Sequence, residues 1–432
     1  SQEFKSEISR LFKEKNFSQL QFKLEELGDI EELPINIAYI YAISKALNPS
    51  SQESDYKQSF KLLIKIYKNN KSNLEPLYNL IAVSLKSKQY NEMLDLLTEA
   101  FKINSSNSNI IEGIAKLNYT LGNLEESHKY YELLFKLNPD RVLSRQVYLT
   151  CLNYLPDISQ QYYLNKCKEY TQLLEKDVNF NQKFIITKKP KIHLGFFSSD
   201  LRKHSVSFFL KNFVKNTNKS EFVISAFSNL DIKNYDEMTK ELKSYFDHWH
   251  DVKNLKDSDI IDLIKKNNID ILIDLNGHTE GNRINIFAQR SAPIQVLWLG
   301  YCNSTGLKNM DYIITDSNCI KENEEKLYTE KIIYLPKIWN AKSKPLELPN
   351  IEELPSIKNK VFSFGSFNNF LKISDQTIKV WAKILIESNS RIILKNSVND
   401  NEEITQNLKT KFLNHKVQEN KLIFLKFENN IK

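Results

Sequence analysis

Apolar positions along the chain follow two different periods, and the change falls near residue 190. Up to about residue 175 they recur at three- and four-residue spacing, the stripe an amphipathic helix lays against a neighbour. "INIAYIYAISKAL" with "YKQSFKLLIKIY" reads as one helical hairpin, and "NIIEGIAKLNYTLGNLEESHKYYELLFKLNP" (109–139) as another. After "KKPK" (188–191) short apolar runs take over: "IHLGFF" (192–197), "FVISAF" (222–227), "IDILIDL" (269–275), "IQVLWL" (294–299) and "YIITD" (312–316). Helix-patterned stretches such as "YDEMTKELKSYF" and "DSDIIDLIKKNN" separate several of them. Near-continuous apolar strands alternating with helices predict a parallel sheet covered on both faces. Ligands of such doubly wound α/β domains bind beyond the carboxyl ends of the strands. A second series follows: "VFSFGSF" (361–367), a helix "SDQTIKVWAKIL" (374–385), "RIILK" (391–395) and "KLIFLKF" (421–427). It predicts half of another doubly wound lobe, with an apolar edge and face left uncovered. Between the two series, Pro336, Pro345, Pro349 and Pro355 mark an extended connector.

The helical half repeats itself. "KNN" (68–70), "KIN" (102–104) and "KLN" (136–138) stand 34 residues apart, each closing a pair of helices. A 34-residue, two-helix unit resembles the tetratricopeptide repeat. In the clearest unit Ala115 is the small residue where the helices cross, and Gly122 forms the turn between them. Tyr131 and Leu134 lie on its second helix, and Pro139 ends it. One hairpin cannot bury its apolar face alone, so the units must stack into a solenoid. Its concave groove is expected to hold a partner protein, with Tyr78, Leu85, Tyr119 and Tyr131 as packing residues. The expected division is a helical solenoid over 1–180, a first lobe over 190–335, a connector over 336–360 and a partial second lobe over 361–432.

Composition narrows the class. A length of 432 residues suits two or three domains. No stretch of about 18 uncharged apolar residues suggests a membrane span. The start, "SQEFKSEISRLFKEKNF", is charged and helical in pattern, so it is not a signal peptide. It lacks an initiating methionine, and earlier residues are expected to be missing. Cys151, Cys167, Cys302 and Cys319 form no CxxC, which fits a reduced, cytoplasmic protein. The net charge is +7, yet no basic block with interleaved aromatics marks a nucleic-acid face. Glycine is scarce, nine in all, or about 2% against a usual ~7%. Four of the nine, Gly277, Gly281, Gly300 and Gly306, gather within thirty residues, which predicts several special turns built around something.

Candidate chemistry sits in loops after strands. "FFSSDLRKHSVSFFL" places Asp200 and His204 before a helix. His204 is a candidate general base; equally, the stretch is a helix start capped by Ser199 or Asp200. "DLNGHTEGNR" puts His278 and Thr279 after the next strand, and "WLGYCNSTG" follows the one after. In "SFNNFLKISD", Lys372 precedes a helix whose cap is Ser374 or Asp375, a combination suited to phosphate, although taken alone the pattern reads better as a surface lysine beside a cap. The "DSD" at 257–259 imitates a metal-binding DxD but opens a helix, where acids serve the first turn. "GFFSSD" has one glycine and is no dinucleotide fingerprint.

Taken together, "LGFFSSDLRKHSV", "IDILIDLNGHTEGNRINIFAQRSAPIQVLWLGYCNSTGLKNMDYIITD", "EKIIYLP" and "FGSFNNFLKIS" resemble the O-linked N-acetylglucosamine transferase family. The resemblance covers 190–432 closely and 34–175 by architecture. It implies an α-solenoid followed by two GT-B-type lobes, the second truncated, since no later glycine- and threonine-rich nucleotide-gripping segment is present. It also implies metal-free, inverting transfer of a sugar from a nucleotide diphosphate, usually UDP-N-acetylglucosamine, to Ser or Thr of proteins, with no cofactor. By the same resemblance His204 lies near the acceptor and Lys372 steadies the departing diphosphate. Asn369 stands beside the nucleotide, and His278, Thr279 and Gly306 line the sugar and acceptor side, their glycine-rich loops closing around the donor. Cys302 and Asn303 depart from the usual Pro-Gly or Pro-Ala. The alternatives are a repeat-based binding scaffold with an inactive module, or the same fold using another donor such as GDP-fucose.

Overall fold

The computed structural model describes residues 2–180, 184, 189–340, 350–396 and 400–426. Part of the connector, Pro345 and Pro349 included, and Phe427 at the end of the last expected strand lie outside them. The chain forms two compact units, Ser1–Pro139 with Glu352–Lys432, and Asp140–Ile351.

In the first unit helices pair as α1 (Gln2–Lys13) with α2 (Phe17–Glu25) and α3 (Ile35–Leu47) with α4 (Glu53–Asn69). Then come α5 (Glu75–Ser87) with α6 (Tyr90–Ile103), and α7 (Ser108–Leu121) with α8 (Leu124–Leu137). The 34-residue period is written into the backbone. Asn70, Asn104 and Asn138 each end a second helix with nearly the same angles, φ −148, −138 and −136 and ψ 84, 82 and 76. Ala115, Tyr131 and Leu134 are fully buried. The Ser127 hydroxyl donates to the Ala115 carbonyl at 2.9 Å, fixing the crossing of α7 and α8. Leu85, expected as packing, is instead exposed. It faces a groove with Tyr78 on α5 and Glu112 and Lys116 on α7.

The same unit holds α15 (Pro355–Asn359), β8 (Ser363–Ser366), α16 (Asp375–Glu387), β9 (Arg391–Lys395), α17 (Glu402–Asn414) and β10 (Leu422–Leu425). The strands form a parallel sheet in the order β10-β9-β8. Ile378, Leu385, Leu394, Leu408 and Phe412 make its core. Phe362, Phe364 and Phe367 along β8 are exposed, so the uncovered apolar surface expected of this sheet is present.

The second unit starts with α9 (Arg145–Tyr154) and α10 (Gln160–Leu174). It continues as β1 (Ile192–Ser198), α11 (Ser205–Lys215), β2 (Phe222–Ser228), α12 (Glu237–Tyr245), β3 (His248–Asp251), α13 (Asp257–Lys266) and β4 (Ile271–Asp274). It closes with α14 (Ile284–Ala288), β5 (Ile294–Leu297), β6 (Tyr312–Thr315) and β7 (Lys331–Tyr334). All seven strands are parallel, in the order β3-β2-β1-β4-β5-β6-β7. Two of them, β3 and β7, were not anticipated as strands: β3 carries no apolar run, and the run in β7, "IIYL" (332–335), is short. Both are edge strands with polar or half-exposed positions, so a long hydrophobic stretch is not needed there. Strand β5 ends at Leu297, two residues earlier than its apolar run, because the backbone turns at Leu299, whose φ is +73.

Candidate functional site

Strand order reverses at β1, which pairs with β2 on one side and β4 on the other. In a doubly wound sheet that reversal opens a crevice at the carboxyl ends of the two strands. The loops leaving β1 and β4 are the ones that carry His204, His278 and Thr279.

Asn276 joins these two loops and is completely buried. Its Oδ1 accepts from the Ser199 backbone N–H at 2.9 Å. Its Nδ2 donates to Ser199 Oγ at 2.9 Å, Asp200 Oδ2 at 3.0 Å and Thr279 Oγ1 at 3.3 Å. Its own N–H reaches Asp274 Oδ1 at 2.8 Å. Asn276 was not among the candidate residues read from the sequence. The only available signal was its place directly after the strand, where an amide can bridge neighbouring loops.

His204 is half-buried and is itself the cap of α11: Nδ1 accepts from the Val206 N–H at 3.3 Å. Neither Ser199 nor Asp200 caps that helix, as the sequence suggested; Asp200 instead receives Asn276, and its carbonyl receives Ser207. With Nδ1 accepting, the neutral ring carries its proton on Nε2. No partner holds Nε2 among the described residues.

His278 is only 1% exposed. Nε2 donates to the Thr305 carbonyl at 2.8 Å, while Nδ1 is buried without a partner. The ring sits against Tyr170 and Tyr301. Burial pulls its pKa down to about 4, so it is neutral near pH 7. Thr279 turns inward and donates to the Asn276 carbonyl at 2.8 Å. Four residues before His278, burial pushes Asp274 up to about 6 despite backbone donors from Asn276 and Gly277. One of its oxygens, Oδ2, has no partner.

The "NSTG" loop after β5 is pinned by Glu330. This buried carboxylate accepts from Ser304 Oγ at 2.7 Å, from the Thr305 N–H at 2.7 Å and from Thr305 Oγ1 at 2.5 Å. No sequence pattern pointed to Glu330, which lies 25 residues from its partner. On its other side the loop packs on α10. A Cβ on Gly306 would lie 2.7 Å from Cys167 Cβ, and one on Gly300 only 1.6 Å from the Leu275 carbonyl oxygen. Gly277 and Gly281 likewise press on Tyr301 and Ser199. The close approach these four glycines permit is to the protein's own atoms, which corrects the expectation that they make room for a donor.

Lys372 and Asn369 share one short 3-10 turn in the other unit. Asn369 Oδ1 caps it by accepting from the Leu371 N–H at 3.1 Å. Lys372 is exposed and pairs with no acid among the described residues. Ser374 caps α16 by accepting from the Thr377 N–H at 3.1 Å. The "DSD" acids lie in the first turn of α13, where Asp257 pairs with Arg283 at 2.7 Å. No group of three or more His, Cys, Asp or Glu fit to hold a metal occurs among the described residues.

Residues 156–358 match glycosyl transferase family 41. A rice protein named probable UDP-N-acetylglucosamine–peptide N-acetylglucosaminyltransferase SPINDLY is 32% identical over 273 residues, 61% of this chain and 29% of its own length. The Arabidopsis thaliana protein of that name is 35% identical over 208 residues, 47% of this chain and 23% of its own. The chain thus spans less than a third of these relatives. A solved structure of a Thermobaculum terrenum O-GlcNAc transferase mutant superposes with a TM-score of 0.77 at 22% identity, covering 92% of this chain and 76% of that one, a likeness of fold. Strand order, helical repeats and family match point the same way: residues 156–358 match glycosyl transferase family 41, and the chain is similar to relatives named for N-acetylglucosamine transfer to peptides.

Proposed function

We propose that this chain moves N-acetylglucosamine from UDP-N-acetylglucosamine to Ser or Thr hydroxyls of proteins, with inversion and without a metal. The observation that carries the reading is the pair of switch-point loops stitched together by Asn276, with the outer nitrogen of His204 unengaged. In the reaction the acceptor oxygen bonds to the anomeric carbon as the bond to the diphosphate oxygen breaks. The hydroxyl proton leaves to a base, and the diphosphate takes the bonding electrons as charge.

Lys372 neutralises that charge, beside Asn369 and the start of α16. His204 stands on the acceptor side. In the tautomer its cap selects, Nε2 donates. Taking up the acceptor proton at Nε2 requires the ring to release Val206 and place its other proton on Nδ1. His278, Thr279 and Gly306 shape the sugar side through their loops, and the neutral His278 adds no charge there. The helical region, 1–180, grips acceptor proteins in its groove; 190–335 forms the acceptor-side lobe and 361–432 the nucleotide side. No helix among the described residues is long and apolar enough to cross a membrane, and a cytoplasmic location is part of the proposal.

Calorimetry with UDP-N-acetylglucosamine and GDP-fucose, together with mass spectrometry of a protein lysate incubated with each, tests the reading. Sugar added to proteins from UDP-N-acetylglucosamine supports it. Addition from GDP-fucose moves the donor assignment. Failure to bind either leaves a repeat scaffold with an inactive module.

A further inference from the structure

The repeats and the second lobe share one compact unit, and their contact is built from few residues with regular spacing. Glu403, Asn407 and Lys411 lie four residues apart along α17, on one face of the helix. Glu403 Oε2 accepts from the backbone N–H groups of Tyr90 and Asn91 at 2.8 and 3.0 Å, closing the start of α6. The natural cap position of that helix, Gln89, makes no side-chain cap of its own. Asn407 Nδ2 donates to the Leu121 carbonyl at 2.7 Å and to Asn123 Oδ1 at 3.1 Å, at the turn between α7 and α8. Lys411 donates to the Gly122 carbonyl at 3.3 Å and pairs at 3.0 Å with Asp375, the first residue of α16. The turns gripped at Lys88–Asn91 and Gly122–Asn123 are equivalent points of successive repeats: Lys88 and Gly122, 34 residues apart, are both left-handed, with φ 59 and 77.

Phe370 completes the contact. It belongs to the same 3-10 turn as Lys372, and it is 8% exposed while Lys372 stands in solvent. Its ring lies flush on Gly122, where a Cβ would come within 2.8 Å of Phe370 Cε2. One end of a three-residue turn is therefore fixed on the repeats, and the other end presents the lysine. A turn this short has little room to move one end without the other.

We infer that Phe370, seated on the bare face of Gly122, is a positioning residue that aims Lys372, so that the repeats set the geometry of the anion site. The inference rests on the assignment of Lys372 to the diphosphate. Occupants that flex the repeats near residue 122 change the hold on the leaving group through this joint.

The test is UDP binding to the full chain by calorimetry, with uridine as the phosphate-free control. Phe370→Ala weakens UDP on the order of 10-fold and leaves uridine unchanged. In a Lys372→Ala background the same substitution changes UDP binding less than about 2-fold, because contacting residues in one chain of action are not additive. Gly122→Ala, which pushes a methyl into the ring, reproduces the loss, and circular dichroism reports whether each variant folds. An equal loss from Phe370→Ala with and without Lys372, or a matching loss for uridine, overturns the inference while leaving the lysine's role intact. If Lys372→Ala itself leaves UDP binding unchanged, the assignment of Lys372 falls, and the inference falls with it.

Discussion

Replacing Asp274 with Asn should stabilise the second unit near neutral pH and uncover an acid sensitivity that the native chain hides. Asp274 and His278 are both wholly buried and titrate in opposite senses. Burial lifts Asp274 from 3.8 to about 6. At pH 7 the carboxylate therefore costs about 3 kcal/mol, from roughly 2.2 pH units at ~1.36 kcal/mol each. That cost is absent below the unfolded value of 3.8, where both states are protonated, and stability is lost as pH rises through about 6. Burial lowers His278 from 6.5 to about 4. Its contribution is complete above 6.5 and is lost as pH falls through about 4, again about 3 kcal/mol in all. Between about 4 and 6 the two slopes oppose and nearly cancel. An Asn at 274 keeps an oxygen for the Asn276 and Gly277 N–H groups and places an amide where Oδ2 now has no partner. Only the histidine slope then remains. Urea unfolding from pH 4 to 8 reads this out through fluorescence, because Trp249, Trp298 and Trp339 lie in this unit and only Trp381 does not. The variant should exceed the native chain by about 3 kcal/mol at pH 7 and match it near pH 4. An offset that stays constant across that range would refute burial of a charged Asp274 as its cause.

Other substitutions separate structure from chemistry. His204→Asn keeps a good helix cap, so the unfolding free energy in urea should hold within about 0.5 kcal/mol of native while sugar transfer, measured with radiolabelled donor, falls roughly 100-fold or more. Lys372→Ala should abolish transfer and leave the circular dichroism spectrum unchanged; near-normal turnover would remove the lysine from the mechanism. Asn276→Ala strands the Ser199 N–H and should cost about 2–3 kcal/mol in urea unfolding, because a buried donor loses its acceptor. Gly300→Ala forces a carbon against the Leu275 carbonyl and should cost about 4 kcal/mol or more, seen as loss of soluble protein.

Much of this architecture could be read from residue spacing. Three asparagines at a 34-residue interval announced the repeats, and the structure gives them one shared backbone conformation. Central strands declared themselves by continuous Val, Ile, Leu and Phe, because both of their faces are covered. The edge strand β3 did not, because its positions are polar and partly meet solvent, and β7 offered only the four-residue run Ile332 to Leu335. The loops holding His204 and His278 were found from their place after strands. What joins them was not legible: Asn276 acts through Ser199 and Asp200, some 77 residues away, and Glu330 through Ser304 and Thr305. Such long-range pairings leave no local pattern. Glycine clustering was a true signal with a different cause, since a bare backbone there admits a tyrosine, a cysteine and a carbonyl of the protein itself.

The grip of α17 on two successive turns also fixes what can vary. Because Glu403 and Asn407 sit one helical turn apart, they measure the offset between neighbouring hairpins, as a gauge block does. The repeat ahead of residue 75 bears on the same joint, because Lys88 at the first gripped turn pairs with Glu53 at 2.6 Å. Insertion of a module between Asn104 and Asn107 would separate the two anchor points and free one of them, so the spacing of these two repeats is set within this joint.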